Sequence, residues 1–229
     1  MHPLDNIVWN TLTGPHAHFA TGTGDARRYA PGFSPIVGFR DERHPDFAAL
    51  VPFCAPGEHF YCAGWTGAAP AGWHVEVDAT MYNMVWDAAA PAVDDAPEAL
   101  PLHAGHVREV LALAELAQPG PFGPRTIELG EYFGLFEDGK LIAMAGERMC
   151  TGGWREISGV ATRPEHRGRG LAQRLMRKLV RRQLARGERP FLHVMRDNAT
   201  AHALYQRMGF RDRREVVVRV VTRLDGPSP

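Results

Sequence analysis

The chain has 229 residues, 26 Lys and Arg balance 26 Asp and Glu, and 45% of the residues are apolar. Such a composition supports an ordinary packed core, and the length allows one large domain or two small ones. Zero net charge removes the field that a nucleic-acid binder or a ligand of anionic membranes relies on.

The opening residues, Met1 to Asn6, lack a basic segment followed by an apolar run, which speaks against a signal peptide. No apolar stretch reaches bilayer-spanning length, so no membrane is expected as a partner. Asn6 to Leu12 shows apolar alternation around Ile7, Val8 and Trp9. Short strands are predicted at Ala26 to Tyr29 and Pro35 to Phe39, and a short helix at Asp46 to Phe53. Two further strands are expected at His59 to Trp65 and Trp73 to Trp86. In the second, Val75, Val77, Ala79 and Met81 alternate with His74, Glu76, Asp78 and Thr80, as in a half-buried strand. His16 and His18 have a spacing that would put both on one face of a strand, but no third ligand accompanies them, so no metal is expected. Cys54, Cys62 and Cys150 are odd in number and lack metal-like spacing, which predicts free thiols in a reducing, cytoplasmic setting. Nothing near Cys150 in the sequence forms a Cys/His pattern, so it reads as a structural thiol.

Ala88 to Pro97 is rich in Ala, Pro and Asp and reads as a linker, dividing an N-terminal region, 1–97, from a second region, 98–229. A short strand at Ala99 to Leu102 precedes a helix whose apolar stripe runs from Val107 to Ala117 and stops at Pro119-Gly120-Pro121. A short helical turn is expected at Thr126 to Leu129. Tyr132 to Phe136 and Leu141 to Met149 are strands joined at Asp138-Gly139, a strong hairpin signal. Trp154 to Thr162 is the next strand. Then Leu171, Leu175, Met176, Leu179 and Leu184 recur at helical spacing, and Gly187 stops the helix. The arginines of this helix fall largely on its polar side and read as a solvated face. Phe191 to Met195 is a buried strand. Asp197 or Asn198 caps a helix ending at Gly209, and Arg214 to Thr222 is a final strand before a tail from Leu224. The fold class is therefore α/β, with a mixed sheet.

The turn between the Trp154 strand and the Leu171 helix carries the chemistry. It reads Thr162-Arg163-Pro164-Glu165-His166-Arg167-Gly168-Arg169-Gly170-Leu171-Ala172. The first amides of a helix have no internal partner and sit at the positive end of its dipole. Gly168 and Gly170 let the backbone approach a ligand closely, and Arg163, Arg167 and Arg169 add positive charge. A phosphate or pyrophosphate cradle is predicted. It is neither a Walker loop, since no Lys-Ser or Lys-Thr follows, nor a three-glycine dinucleotide fingerprint.

The stretch resembles the acyl-CoA loop of the GNAT superfamily of N-acetyltransferases, with Arg167, Gly170 and Ala172 filling the pattern. A second block, Asn198, Ala201, Leu204, Tyr205 and Gly209-Phe210, stands where that superfamily has one. The resemblance covers about Glu98 to Arg223. It implies transfer of an acetyl group from acetyl-CoA to a small amine or amino-acid-like acceptor, without a metal. It places the pyrophosphate on Arg167, Gly168, Arg169, Gly170, Leu171 and Ala172, and the peptide-like arm against the backbone of Val160, Ala161 and Thr162 and near Asn198. It also implies a general base, for which Glu156 is the first candidate and Glu147 the second, with Glu131, Glu128 and His193 behind them. Tyr205 is the implied proton donor to the departing thiolate. A binding module without turnover, or transfer of a longer acyl group, stays open. For 1–97 three readings are open: a degenerate second copy of the fold, as in the glycine N-acyltransferase-like group, a plain extension, or a homodimer surface.

Overall fold

The computed structural model describes residues 2–225; the tail expected from Leu224 lies, from residue 226 on, outside the described residues. Where the sequence shows apolar alternation from Asn6 to Leu12, the structure has a helix, α1 (Ile7–Thr13), which Asn6 caps: its Oδ1 accepts from the Trp9 N–H at 3.3 Å. Ile7, Val8 and Leu12 then fall on one side and are buried with Leu4 against Tyr29, Phe33 and Ile36.

The strands that follow are β1 (Ala20–Thr21), β2 (Ala26–Tyr29), β3 (Ile36–Phe39), β4 (His59–Ala63) and β5 (Trp73–Trp86). The helix expected at Asp46 to Phe53 is a tighter 3-10 helix, Ala48–Phe53, with Pro52 inside it. Then come β6 (Leu100–Pro101), α2 (Val107–Ala117), β7 (Tyr132–Glu137), β8 (Lys140–Thr151), β9 (Trp154–Thr162), α3 (Leu171–Ala185), β10 (Arg189–Met195), α4 (Ala199–Met208) and β11 (Phe210–Arg223). Asp138 and Gly139 both have positive φ, 50° and 74°, as the two-residue turn between β7 and β8 requires.

All the strands form one sheet of order β1-β2-β3-β4-β11-β5-β10-β9-β8-β7-β6. Two neighbouring pairs, β3 with β4 and β9 with β10, are parallel, and the rest are antiparallel. β5, from the N-terminal region, lies between β10 and β11, so both regions build one sheet. Met144 and Ala161 pack with α2, whereas Ala143 and Ala145 pack with α3; the two helices therefore cover opposite faces.

The stretch read as a linker lies along α3. Asp94 bonds Lys178 at 2.5 Å, Asp95 pairs with Arg177, and Glu98 pairs with Arg174. Part of the basic face expected to be solvated is thus neutralised by this acidic segment, and Lys178 is buried. Among the described residues, no helix is long and apolar enough to cross a membrane.

Candidate active site

A cleft opens where β9 and β10 part. They pair only from Arg189 to Phe191 against Trp154 to Glu156; beyond that, β10 follows β5. A bulge bends β9 at the same place. Gly159 and Val160 stand opposite the single residue Ala145, and Gly159 has φ 62°. A Cβ there would meet the Tyr132 ring at 2.9 Å, so both backbone and space call for glycine. The cleft-side edge of Val160, Ala161 and Thr162 consequently has no strand partner among the described residues, and the buried Thr162 Oγ1 has no hydrogen bond.

At the end of β9 lies the glycine turn. Gly168 and Gly170 have φ 77° and 73°, and a Cβ on either would meet nothing within 4 Å. Gly170 begins α3 without a side-chain cap. Among the described residues, the amides of Gly168, Arg169, Gly170, Leu171 and Ala172 donate to no protein acceptor. The three arginines of the turn differ. Arg163 Nε donates to the Leu141 carbonyl at 2.8 Å, and Arg169 is tied to Glu137 at 2.9 Å. Arg167 has no ion pair among the described residues and remains available to an anion. This donor set fits a pyrophosphate, and the unpaired β9 edge fits a peptide-like arm.

Side chains two apart on a strand share a face. Asn83 on β5 lies opposite His193 on β10, and Phe191 lies opposite both Val85 and Glu156. Glu156, His193 and Asn83 therefore meet. His193 Nδ1 is 2.8 Å from Glu156 Oε1, and Asn83 Nδ2 is 3.0 Å from His193 Nε2. An amide N–H facing Nε2 makes that nitrogen the acceptor, so Nδ1 carries the proton and donates it to Glu156. Among the described residues, Asn83 Oδ1 is buried without a partner. Arg148 completes the group, donating to Glu156 at 2.9 and 2.8 Å. Burial pushes the Glu156 carboxyl up, but the Arg148 charge, its hydrogen bonds and that of His193 outweigh this and hold the pKa at about 2.

The other carboxylates sit elsewhere. Glu147, buried, accepts from Gln183 Nε2 on α3 at 3.0 Å and pairs with Arg186, the residue that follows α3. Glu131 pairs with Arg182 and Arg186, and Glu128 with Arg125 at 2.8 Å. None of the three lines the cleft. Tyr205 and Asn198 do, the latter also capping α4 by accepting from the Ala201 N–H at 3.1 Å. Burial pushes the Tyr205 phenol up to about 12. The cleft widens into a cavity of about 870 Å³ whose walls come from β4, β5 and β11 on one side and from α2 and the 118–122 loop on another.

Two associations were invisible in the sequence. Asn83 lies 110 residues from His193, and no motif marks it. Cys150, expected to stand alone, has His16 Nε2 at 3.5 Å from its Sγ, with Tyr29 Oη 2.9 Å from His16 Nδ1. Burial raises the Cys150 thiol, and burial lowers His16 to about 4. A buried neutral thiol beside a neutral imidazole is not an activated nucleophile.

Residues 107–210 match the sequence profile of the acetyltransferase (GNAT) family. No curated protein matches the chain significantly. Among solved structures, a Novosphingobium aromaticivorans protein assigned as an acetyltransferase of the GNAT family is 36% identical, with TM-score 0.89 over 98% of this chain and 100% of its own. A GCN5-related N-acetyltransferase-like protein from Streptococcus suis (18% identical, TM-score 0.60, 95% and 93% covered) shares the fold. So does a GCN5-related N-acetyltransferase from Kribbella flavida (16% identical, TM-score 0.59, 96% and 95% covered).

Proposed function

The chain belongs to the GNAT family of acetyltransferases, and we propose that it moves an acetyl group from acetyl-CoA to the primary amine of a small acceptor, directly, with both substrates bound. The observation that carries this reading is the cleft: an unpaired strand edge ends on a run of free amides beside Arg167, and a His–Glu pair lies across the gap. In this reading, 98–229 holds the cosubstrate and 1–97 completes the acceptor side.

Acetyl-CoA, when bound, supplies an activated thioester carbonyl. Gly168 to Ala172 and Arg167 bind its pyrophosphate, and the backbone of Val160 to Thr162 aligns its arm, which lowers the entropic cost of attack. The attacking amine must lose a proton. Glu156 cannot take it directly, because a carboxyl held at about 2 is a weak base near neutrality. His193 takes it at Nε2, whose lone pair becomes available as the hydrogen bond from Asn83 Nδ2 is released. Glu156, on Nδ1–H, then stabilises the imidazolium, and Asn83 turns its amide so that the unpartnered Oδ1 accepts the new Nε2–H. Burial keeps the Tyr205 phenol protonated, so it meets the leaving sulfur as a hydrogen-bond donor. It stabilises the leaving sulfur by hydrogen bonding. As the amine nitrogen bonds to the acetyl carbonyl carbon the C–S bond breaks, the sulfur leaves with the electron pair as a thiolate that is protonated from solvent, and His193 returns the amine's proton to solvent. Glu147 serves the packing of α3.

Thiol release from acetyl-CoA in the presence of an amine library tests the reading. Amine-dependent release supports it. Binding of acetyl-CoA with no release for any amine would turn the chain into an acyl-CoA-binding module, and faster release from longer acyl thioesters would correct the acyl group.

A further inference from the structure

Resting on the transfer reading, we infer that the acceptor is a monoamine borne on an apolar alkyl or aryl body, and not a polyamine, an amino sugar or an acidic amino acid. The cavity beyond His193 has an apolar floor supplied by the sheet. Tyr61, Val220 and Val77 align across β4, β11 and β5, with Met81 farther along the same face of β5. Leu111 and Phe122 face the cavity from α2 and its following loop. Val77 is 45% exposed although it lines a concave wall. An apolar surface left open inside a cavity, rather than scattered on a convex one, is a surface shaped for a ligand.

Charge narrows the class. Of the described residues lining the cavity only Glu115 and Arg148 are charged, and Arg148 is neutralised by Glu156. Glu115 has an ion pair with no described residue. Glu115 is exposed on α2 and the reacting nitrogen goes to His193 as the free amine, so the floor itself carries no anion. It offers nothing to the further charges of a polyamine, and among the described residues no unpaired cation lines the cavity for a substrate carboxylate. An amino sugar needs a set of hydrogen-bond partners that Val77, Met81 and Val220 lack.

The test is thiol release from acetyl-CoA with linear amines from butylamine to octylamine and with phenethylamine, set against spermidine, glucosamine and glutamate. Each added methylene should raise kcat/KM about fourfold until the cavity is filled. Val77→Asp, at a position open enough to tolerate it, should flatten the series while acetyl-CoA binding, read by calorimetry, is unchanged. Direct titration of butylamine and hexylamine in the absence of acetyl-CoA reads the same preference without turnover; hexylamine should bind about sixteenfold tighter. Absence of thiol release together with that binding preference would remove the transfer reading and leave the pocket assignment intact. A flat series, equal binding of the two amines, or spermidine or glucosamine as the best acceptor would overturn the inference.

Discussion

Removing the Arg148 charge separates the structural role of the buried cluster from its chemical one. Arg148 is 8% exposed and Glu156 is 0% exposed, and two hydrogen bonds of 2.9 and 2.8 Å join them. In Arg148→Met the Glu156 carboxylate keeps only the His193 bond and a 3.3 Å contact from the Met149 N–H. Breaking a buried pair by deleting one partner costs about 3–5 kcal/mol, mostly the penalty of the charge left behind. For a chain of this size each kcal/mol moves Tm by about 2–4 °C, so the melt should fall by roughly 6–20 °C. Glu156→Gln strands the guanidinium instead and should cost a similar amount. The double variant Arg148→Met, Glu156→Gln removes both charges of the pair. It should be more stable than either single variant, since neutral replacements for a buried pair are often tolerated. Thermal melts and urea titrations of the four proteins complete the cycle. Activity should not follow stability: the double variant lacks the anion that stabilises a protonated His193, and its thiol release should stay low. Strictly additive losses in the double variant would refute the claim that the two charges hold each other.

The same cluster predicts a pH response. Glu156 is held at about 2 against an ordinary 4.5, so its stabilisation is complete above pH 4.5 and is lost as pH falls toward 2. His16, lowered to about 4 from 6.5, adds a separate loss between pH 6.5 and 4 that His16→Gln should abolish in acid melts. Glu42 acts in the opposite sense: burial raises it to about 7 from 4.5, so its contribution is lost as pH rises from 4.5 to 7, and Glu42→Gln should flatten that limb of the stability curve. His193→Gln should lower kcat about 10²–10⁴-fold without changing acetyl-CoA affinity, read by steady-state rates beside calorimetry. Gly146→Ala should destabilise by about 1–3 kcal/mol in urea titrations, because its Cβ would stand 2.2 Å from the Tyr132 ring.

Local patterns were legible in the sequence wherever neighbours along the chain decide the structure. The alternation from Trp73 to Trp86 is one unbroken strand, Val107 to Ala117 is one helix, and Asp138-Gly139 makes its hairpin turn. The glycine turn before α3 was legible for the same reason: positive φ at Gly168 and Gly170 and the free helix amides are local properties. The apolar pattern of Asn6 to Leu12 did not distinguish helix from strand, because burial on one side of a short helix and alternation look alike over so few residues. Nothing in the alternation of β5 said that it would enter the sheet between β10 and β11, since that pairing joins segments more than a hundred residues apart. The His193–Asn83 contact depends on it, so His193, read from the sequence as a histidine behind the glutamates, gained its role only with the fold. Glu156 shows the converse. Its position on the strand entering the turn was readable, but the guanidinium that holds its carboxyl at about 2 comes from a bulge in β8.

Calorimetric titration with acetyl-CoA, of the wild-type chain and of an Arg167→Glu, Gly170→Asp variant, bears most directly on the central claim. The account predicts saturable binding by the wild type and none by the variant, whose melt should show that it still folds. No binding by the wild type, or equal binding by both, would contradict the assignment of the glycine turn as the pyrophosphate cradle.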